Sequence, residues 1–256
     1  MSIVSRIAVA GAVAALAFGA TGVASEAATP SHASARHPIG SSSALGLHGR
    51  FGRAEPAVGL STSLAGYLGT PTLGIASVSA SFTAPSFSCG SRSDTEDIAF
   101  GPFVYDSSMN VEASADVQPV CENNTLYYFL SAYTVGGGDN LAYTVHPGDH
   151  IIASISESPS GMTTVTITDV NTATVETSQQ ATDANDTYVS VGVVNYEPDV
   201  PRFSAVKETS VQIDGQYLGQ AGLQPYNLQT SGDVQIKTNK VATYSETLKL
   251  TFENNF

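Results

Sequence analysis

The 256-residue sequence has no tryptophan, two cysteines, and ten lysines and arginines against 23 aspartates and glutamates, a net charge of −13. So few cations exclude nucleic acid as a partner, because neutralising phosphates needs clustered positive charge. Anionic membrane surfaces are disfavoured for the same reason. The sequence has no Gly-x-Ser-x-Gly elbow and no glycine-rich phosphate loop between a strand and a helix, which argues against α/β-hydrolase and nucleotide-binding chemistry. No segment carries the three-and-four spacing of an amphipathic helix. Beyond the first 20 residues no apolar run is long enough to cross a bilayer as a helix.

What the N-terminus does contain is the pattern of an export signal. Arg6 supplies the positive start, residues 7–20 form an apolar run too short to span a membrane comfortably, and Ser25-Glu26-Ala27 offers small residues for cleavage after Ala27. Residues 28–56, rich in Ser, Ala, Gly, Pro and His without periodicity, read as a flexible linker or propeptide. Residues 57–256 form one domain's length of chain. The expectation is a secreted, extracellular, monomeric protein with no membrane association once the signal is removed.

In an oxidising compartment Cys89 and Cys121 read as a disulfide, with Cα atoms about 4.4–6.8 Å apart. Closing that loop stabilises by about 3–4 kcal/mol on a chain-entropy estimate. Short runs that alternate apolar and small polar residues recur through the body. Examples are residues 75–82, 97–105, 110–117, 126–135, 150–156, 162–170, 187–196, 203–213 and 244–252. Turn residues such as Gly136-Gly-Gly-Asp139, Pro147-Gly-Asp149 and Ser160-Gly161 separate them. The fold class this implies is all-β: a two-sheet antiparallel β-sandwich of the concanavalin-like or jelly-roll type.

Two clusters are candidates for chemistry. His146 and His150 flank Pro147-Gly148-Asp149, but a metal site there lacks a fourth ligand, and a hairpin turn with two exposed histidines explains them equally. No metal and no cofactor are expected. Glu112, Ser114 and Asp116 alternate along one strand and so share a face. That face is either solvated or the floor of a groove.

Several segments resemble, in order, those of the secreted glutamic peptidases, or eqolisins, acid-acting β-sandwich proteases. Leu64-Ala65-Gly66-Tyr67 resembles the family's Trp-Ala-Gly-Tyr, and Val78-Ser-Ala-Ser-Phe-Thr-Ala-Pro85 resembles its strand ending in Val-Pro. Asn110 to Asp116 falls at its Gln-Thr-Gly strand, and Tyr127 to Tyr133 at its Tyr-Tyr-Ala-Trp-Tyr-Glu strand. Val145 to His150 resembles its Gly-Asp turn, and Val191 to Pro198 falls at its Ala-Glu-Trp-Ile-Val-Glu strand. The family's cysteine pair corresponds to Cys89 and Cys121.

The resemblance implies catalysis by a glutamate acting as general base on water and a glutamine amide stabilising the oxyanion. Both positions differ here: the glutamine reads Glu112 and the glutamate reads Gly192. The groove positions read Asp116, Tyr128, Leu130, Ala132 and Tyr196. Gly192 offers no base, and an ionised Glu112 offers no donor. Glu197 is one strand position off, on the opposite face. The expectation is therefore a non-catalytic sandwich that binds a peptide, protein or glycan in the former groove. The alternative is an acid endopeptidase with an altered site built on Glu112, alone or with Asp116. On this reading Glu112 and Gly192 occupy neighbouring positions of one concave sheet, with Cα atoms within about 12 Å.

Overall fold

The computed structural model describes residues 58–71, 75–89, 95–122, 125–182, 186–196, 202–230 and 233–253. The expected signal (1–27), the expected linker (28–56) and Glu197 lie outside them. Every regular element among the described residues is a strand. In chain order these are β1 (Gly59–Ser61), β2 (Leu64–Gly69), β3 (Ser77–Thr83), β4 (Phe87–Ser88), β5 (Thr95–Asp106) and β6 (Val111–Glu122). Then follow β7 (Thr125–Thr134), β8 (Gly138–Ala142), β9 (His150–Ser158), β10 (Met162–Asp169), β11 (Thr174–Ala181) and β12 (Asp186–Asn195). The last six are β13 (Arg202–Phe203), β14 (Val206–Ile213), β15 (Gln216–Tyr217), β16 (Gln224–Thr230), β17 (Asp233–Thr238) and β18 (Leu248–Phe252).

The sandwich is built from one continuous sheet rather than two separate ones. Hydrogen bonding runs β11-β10-β9-β3-β14-β18-β17-β16-β2-β12-β5-β6-β7-β8, with β1 and β15 as side branches, and β4 pairs with β13 in a small second sheet. The path folds back on itself, so that β9 and β10 pack over β5, β6 and β7. The two ends of the path meet without a backbone ladder. Thr134 and Ser178 share a hydroxyl hydrogen bond of 2.8 Å, the Gly136 amide donates to Gln180 Oε1 at 2.6 Å, and Asn140 Nδ2 donates to the Thr177 carbonyl at 2.5 Å.

Alternation explains the interior. On β9 Ile151, Ala153 and Ile155 point inward, and on β10 Val165 and Ile167 do the same. They meet Phe100, Val104, Val117 and Leu130 from the facing layer. Phe203 joins this core edge-on to both Phe100 (5.1 Å between centroids) and Phe252 (5.8 Å). The disulfide between Cys89 and Cys121 is present, with Cα atoms 5.5 Å apart. At the 146–150 turn the two histidines engage separate partners: His146 Nδ1 lies 3.5 Å from Asp149 Oδ2, and His150 Nε2 lies 2.6 Å from Ser81 Oγ.

Candidate functional site

The five strands β2, β12, β5, β6 and β7 have an interior face and an outer face. Ala65, Tyr67, Val191, Val193, Ala113, Ala115 and Val117 enter the sandwich core. Their neighbours in sequence therefore face outward. On β2, β12 and β5, with Tyr226 beside them, those neighbours build a second apolar cluster: Leu64, Leu68, Ala99, Phe103, Tyr105, Val194 and Tyr226. On β6 they are Glu112, Ser114, Asp116 and Gln118. All of these polar side chains are buried, Asp116 fully and Glu112 with 8 % of its surface left.

Across the middle of this outer face runs a row of positions without side chains. Gly66 pairs with Gly192, and Gly192 pairs with Gly101. The flanking pairs Phe100↔Val117 and Phe103↔Ser114 extend the row to Asp116, which in turn pairs with Ser131. At the other end Gly66 pairs with Tyr226. The three glycines have φ of 139°, 142° and 150°, a region that residues with a Cβ rarely enter. A Cβ at Gly192 would lie 2.3 Å from the Ala65 carbonyl oxygen, and one at Gly66 or Gly101 2.2 Å from the Val191 or Ala115 carbonyl oxygen. Aligned glycine kinks of this kind crease a sheet and leave a trough over it.

Polar groups line the trough. Tyr105, fully buried, shares a 2.9 Å hydroxyl hydrogen bond with Ser190. Burial pushes its phenol well above the ordinary value; the Ser190 bond acts against this and the negative charge of Asp116 adds to it. Ser131 Oγ donates to Asp139 Oδ1 at 2.8 Å. Tyr105→Phe removes the partner of a buried hydroxyl, so a loss of about 1–2 kcal/mol in urea-unfolding stability is expected. At the β16 side of the same face, Leu68, Gly69, Thr70, Tyr188, Gly222, Gln224 and Tyr226 line a cavity of about 240 Å³.

The site positions read from the sequence divide into two groups. Glu112, Asp116, Gly192 and Tyr196 belong to the outer face, and Tyr196 packs against its apolar cluster. Tyr128, Leu130 and Ala132 do not: all three enter the sandwich core, where the Tyr128 hydroxyl donates to the Pro85 carbonyl at 3.0 Å. Burial pushes that phenol up to about 12. The groove side of β7 carries Tyr127, Phe129, Ser131 and Tyr133 instead, one residue out of step, and in a strand a one-residue slip exchanges faces.

The expected proximity of Glu112 and Gly192 is also corrected. Gly192's row ends on Asp116, and Glu112 lies four residues further along β6. Two strand spacings across and four residues along set their Cα atoms about 16 Å apart. Gln118, Ser190, Tyr105 and the glycine row were not singled out from sequence. The glycines' signal was there, since isolated glycine inside a strand marks a bend or a close backbone approach.

No family model matches this chain, and no curated protein matches it. Solved structures do. A complex of scytalido-glutamic peptidase with a transition-state-analogue inhibitor aligns with a TM-score of 0.55 at 15 % identity, over 75 % of this chain and 98 % of that one. SCP-B, a member of the eqolisin family of peptidases, in complex with the tripeptide Ala-Ile-His, aligns with a TM-score of 0.54 at 16 % identity over the same shares. The chain thus has a glutamic-peptidase-like fold.

Proposed function

We propose that this chain is an exported, non-catalytic protein with the glutamic-peptidase fold that binds an extended peptide across the outer face of β2, β12, β5, β6 and β7. The observation that carries this reading is Gly192. The strand position that the resemblance equates with the family's general base is a glycine whose backbone leaves no room for a Cβ, let alone a carboxylate. On that equivalence the position offers no carboxylate to activate a water, which supports a non-catalytic reading. The binding half of the reading is supported by the cavity of about 240 Å³ beside the glycine row, lined by Leu68, Gly69, Thr70, Tyr188, Gly222, Gln224 and Tyr226. SCP-B holds a tripeptide on the same fold. The disulfide is compatible with export to an oxidising compartment.

The test is direct. The chain is incubated with denatured casein at pH about 2 to 5, the range where carboxyl groups titrate. No cleavage is expected, together with saturable binding of fluorescently labelled casein peptides. Cleavage that disappears in Glu112→Ala or Asp116→Ala would overturn the non-catalytic reading in favour of an altered peptidase site. Absence of both cleavage and binding would overturn the binding reading.

A further inference from the structure

Strand register fixes the walls of the cavity at the β16 side of the outer face. Gln224 of β16 pairs with Leu68 of β2, and Leu68 pairs with Ser190 of β12. This line lies one outward position along from the row of Tyr226, Gly66 and Gly192. Leu68, buried in the outer apolar cluster, forms the floor. Tyr226 stands to one side of it, next to the glycine row, and Tyr188 stands to the opposite side, two residues before Ser190. The loop that leads into β16 closes the end. Gly69 lets that loop come close: a Cβ there would lie 3.3 Å from the Leu223 Cα and 3.7 Å from the Gly222 carbonyl oxygen. The Gln220 and Ala221 amides hold the loop by donating to the Tyr217 carbonyl at 2.8 and 3.2 Å. Paired strands and a hydrogen-bonded turn therefore preform the cavity, as ligand sites usually are.

Charge and size restrict what can enter. No charged residue lines the cavity; its polar groups are the Gln224 amide, the Thr70 hydroxyl and the phenols of Tyr188 and Tyr226. An ammonium, guanidinium or carboxylate placed there would lose its water and gain no counter-charge. A dry apolar cavity of about 150 Å³ holds a benzene ring. At about 240 Å³ this one has room for a phenyl group and a hydroxyl on it. The two tyrosine rings offer edge and face contacts to such a ring, and the amide and hydroxyl groups offer partners to a phenolic oxygen. Gly66 and Gly192 raise no side chain between this space and the trough. From their row to Leu68 is two residues, about 7 Å, within reach of an aromatic side chain whose backbone lies on the row.

Resting on the reading of this face as a peptide-binding groove, we propose that the cavity over Leu68 is a recognition pocket for an uncharged aromatic group, supplied on a bound peptide by a phenylalanine or tyrosine side chain. Tyr188, Tyr226 and Gln224 set its selectivity. The glycine row carries the peptide's backbone and reads no side chain, so one aromatic residue becomes the feature by which the groove chooses among peptides.

The test uses fluorescein-labelled octapeptides of glycine, serine and alanine with Phe, Ala or Lys at one central position, their affinities read by fluorescence polarisation. The Phe peptide is expected to bind about ten- to a hundredfold tighter than the Ala peptide, the scale of burying one aromatic side chain, and the Lys peptide no tighter than the Ala one. Thr70 is exposed and outside the strands, so Thr70→Phe narrows the mouth without breaking a ladder. Tyr188→Ala removes a wall instead. Both variants are expected to lose the preference for Phe. Equal affinity for the Phe and Ala peptides overturns the proposal and leaves the groove reading standing, as does a preference that survives in both variants. Toluene and p-cresol, the bare side-chain analogues, probe the pocket without a peptide through saturation-transfer NMR. Signals that both variants abolish, with no peptide bound, keep the pocket and remove the peptide groove. No signal from either analogue, with no peptide bound, overturns both.

Discussion

Placing a carboxylate at the strand position that the resemblance equates with the glutamic peptidases' base, Gly192→Glu, is expected to give no peptidase activity and to destabilise the fold by roughly 2–6 kcal/mol. The loss comes from two sources, backbone strain of about 1–3 kcal/mol in a region reserved for glycine and steric overlap of about 1–3 kcal/mol. The overlap is with the Ala65 carbonyl oxygen at 2.3 Å and the Gly66 Cα at 2.8 Å, both backbone atoms of a paired strand that cannot swing aside. The first carbon of the side chain causes all of this, so Gly192→Ala should lose nearly as much as Gly192→Glu in urea unfolding. A glutamate variant as stable as the parent, or one that cleaves casein, would refute the account of the glycine row.

Glu208 carries the second large effect. It sits on β14 between Phe82 of β3 and Leu248 of β18, fully buried, and neither carboxyl oxygen has a hydrogen-bond partner. Burial pushes its carboxyl up to about 8 from an ordinary 4.5. Below about 4.5 both folded and unfolded chains hold the proton, and the stability is fully present. Between there and about 8 only the folded chain holds it, so stability falls as pH rises and levels off above that. At 1.36 kcal/mol for each tenfold change in proton affinity, the fall amounts to roughly 5 kcal/mol. Glu157, whose carboxyl is also raised by burial, slopes the same way. Asp106 slopes the other way. Burial works to raise its pKa, but hydrogen bonds from Asn110 and Ser108 prevail and hold it low, so its contribution is lost as pH falls. Urea midpoints measured across this pH range should decline in the parent and lose most of that decline in Glu208→Gln. Parallel curves for the two proteins would refute the assignment.

Much of the fold was legible because half-buried strands write themselves as alternation. Residues 150–156 and 162–170 became β9 and β10 nearly residue for residue, since each has a core face of Ile, Val and Ala. β11 was missed because Thr174-Val-Glu-Thr-Ser-Gln-Gln-Ala181 has no apolar face to reveal; it is an end strand that turns Ser178 and Gln180 inward. β8 hid inside what read as a turn, because its residues 138–142 are short and mostly polar. β16 also lay outside the strands read from sequence; it contains Pro225, a residue that cannot donate to a backbone ladder. At the site, the order of segments located β6, β7 and β12 correctly, but a period of two punishes a one-residue slip by exchanging faces. Leu130 and Ala132 therefore became core, and Ser131 became groove. Register across strands is not written in any single segment, which is why Asp116 rather than Glu112 turned out to share a row with Gly192.

The join between β8 and β11 makes the main sheet a split ring rather than a closed hoop. Side-chain hydroxyls and amides fasten it at Thr134, Gly136 and Asn140, where a ladder of peptide groups would otherwise continue. Strands flanking such a join lack a backbone partner on one side, so their amides trade protons with solvent first, while β12 and β5, held on both sides, trade last. The protein thereby has a fixed line along which it loosens, at the β8 edge of the outer face and several strands from the glycine row of β2, β12 and β5. Breathing at that line can proceed through many cycles while the crease of glycines keeps its shape.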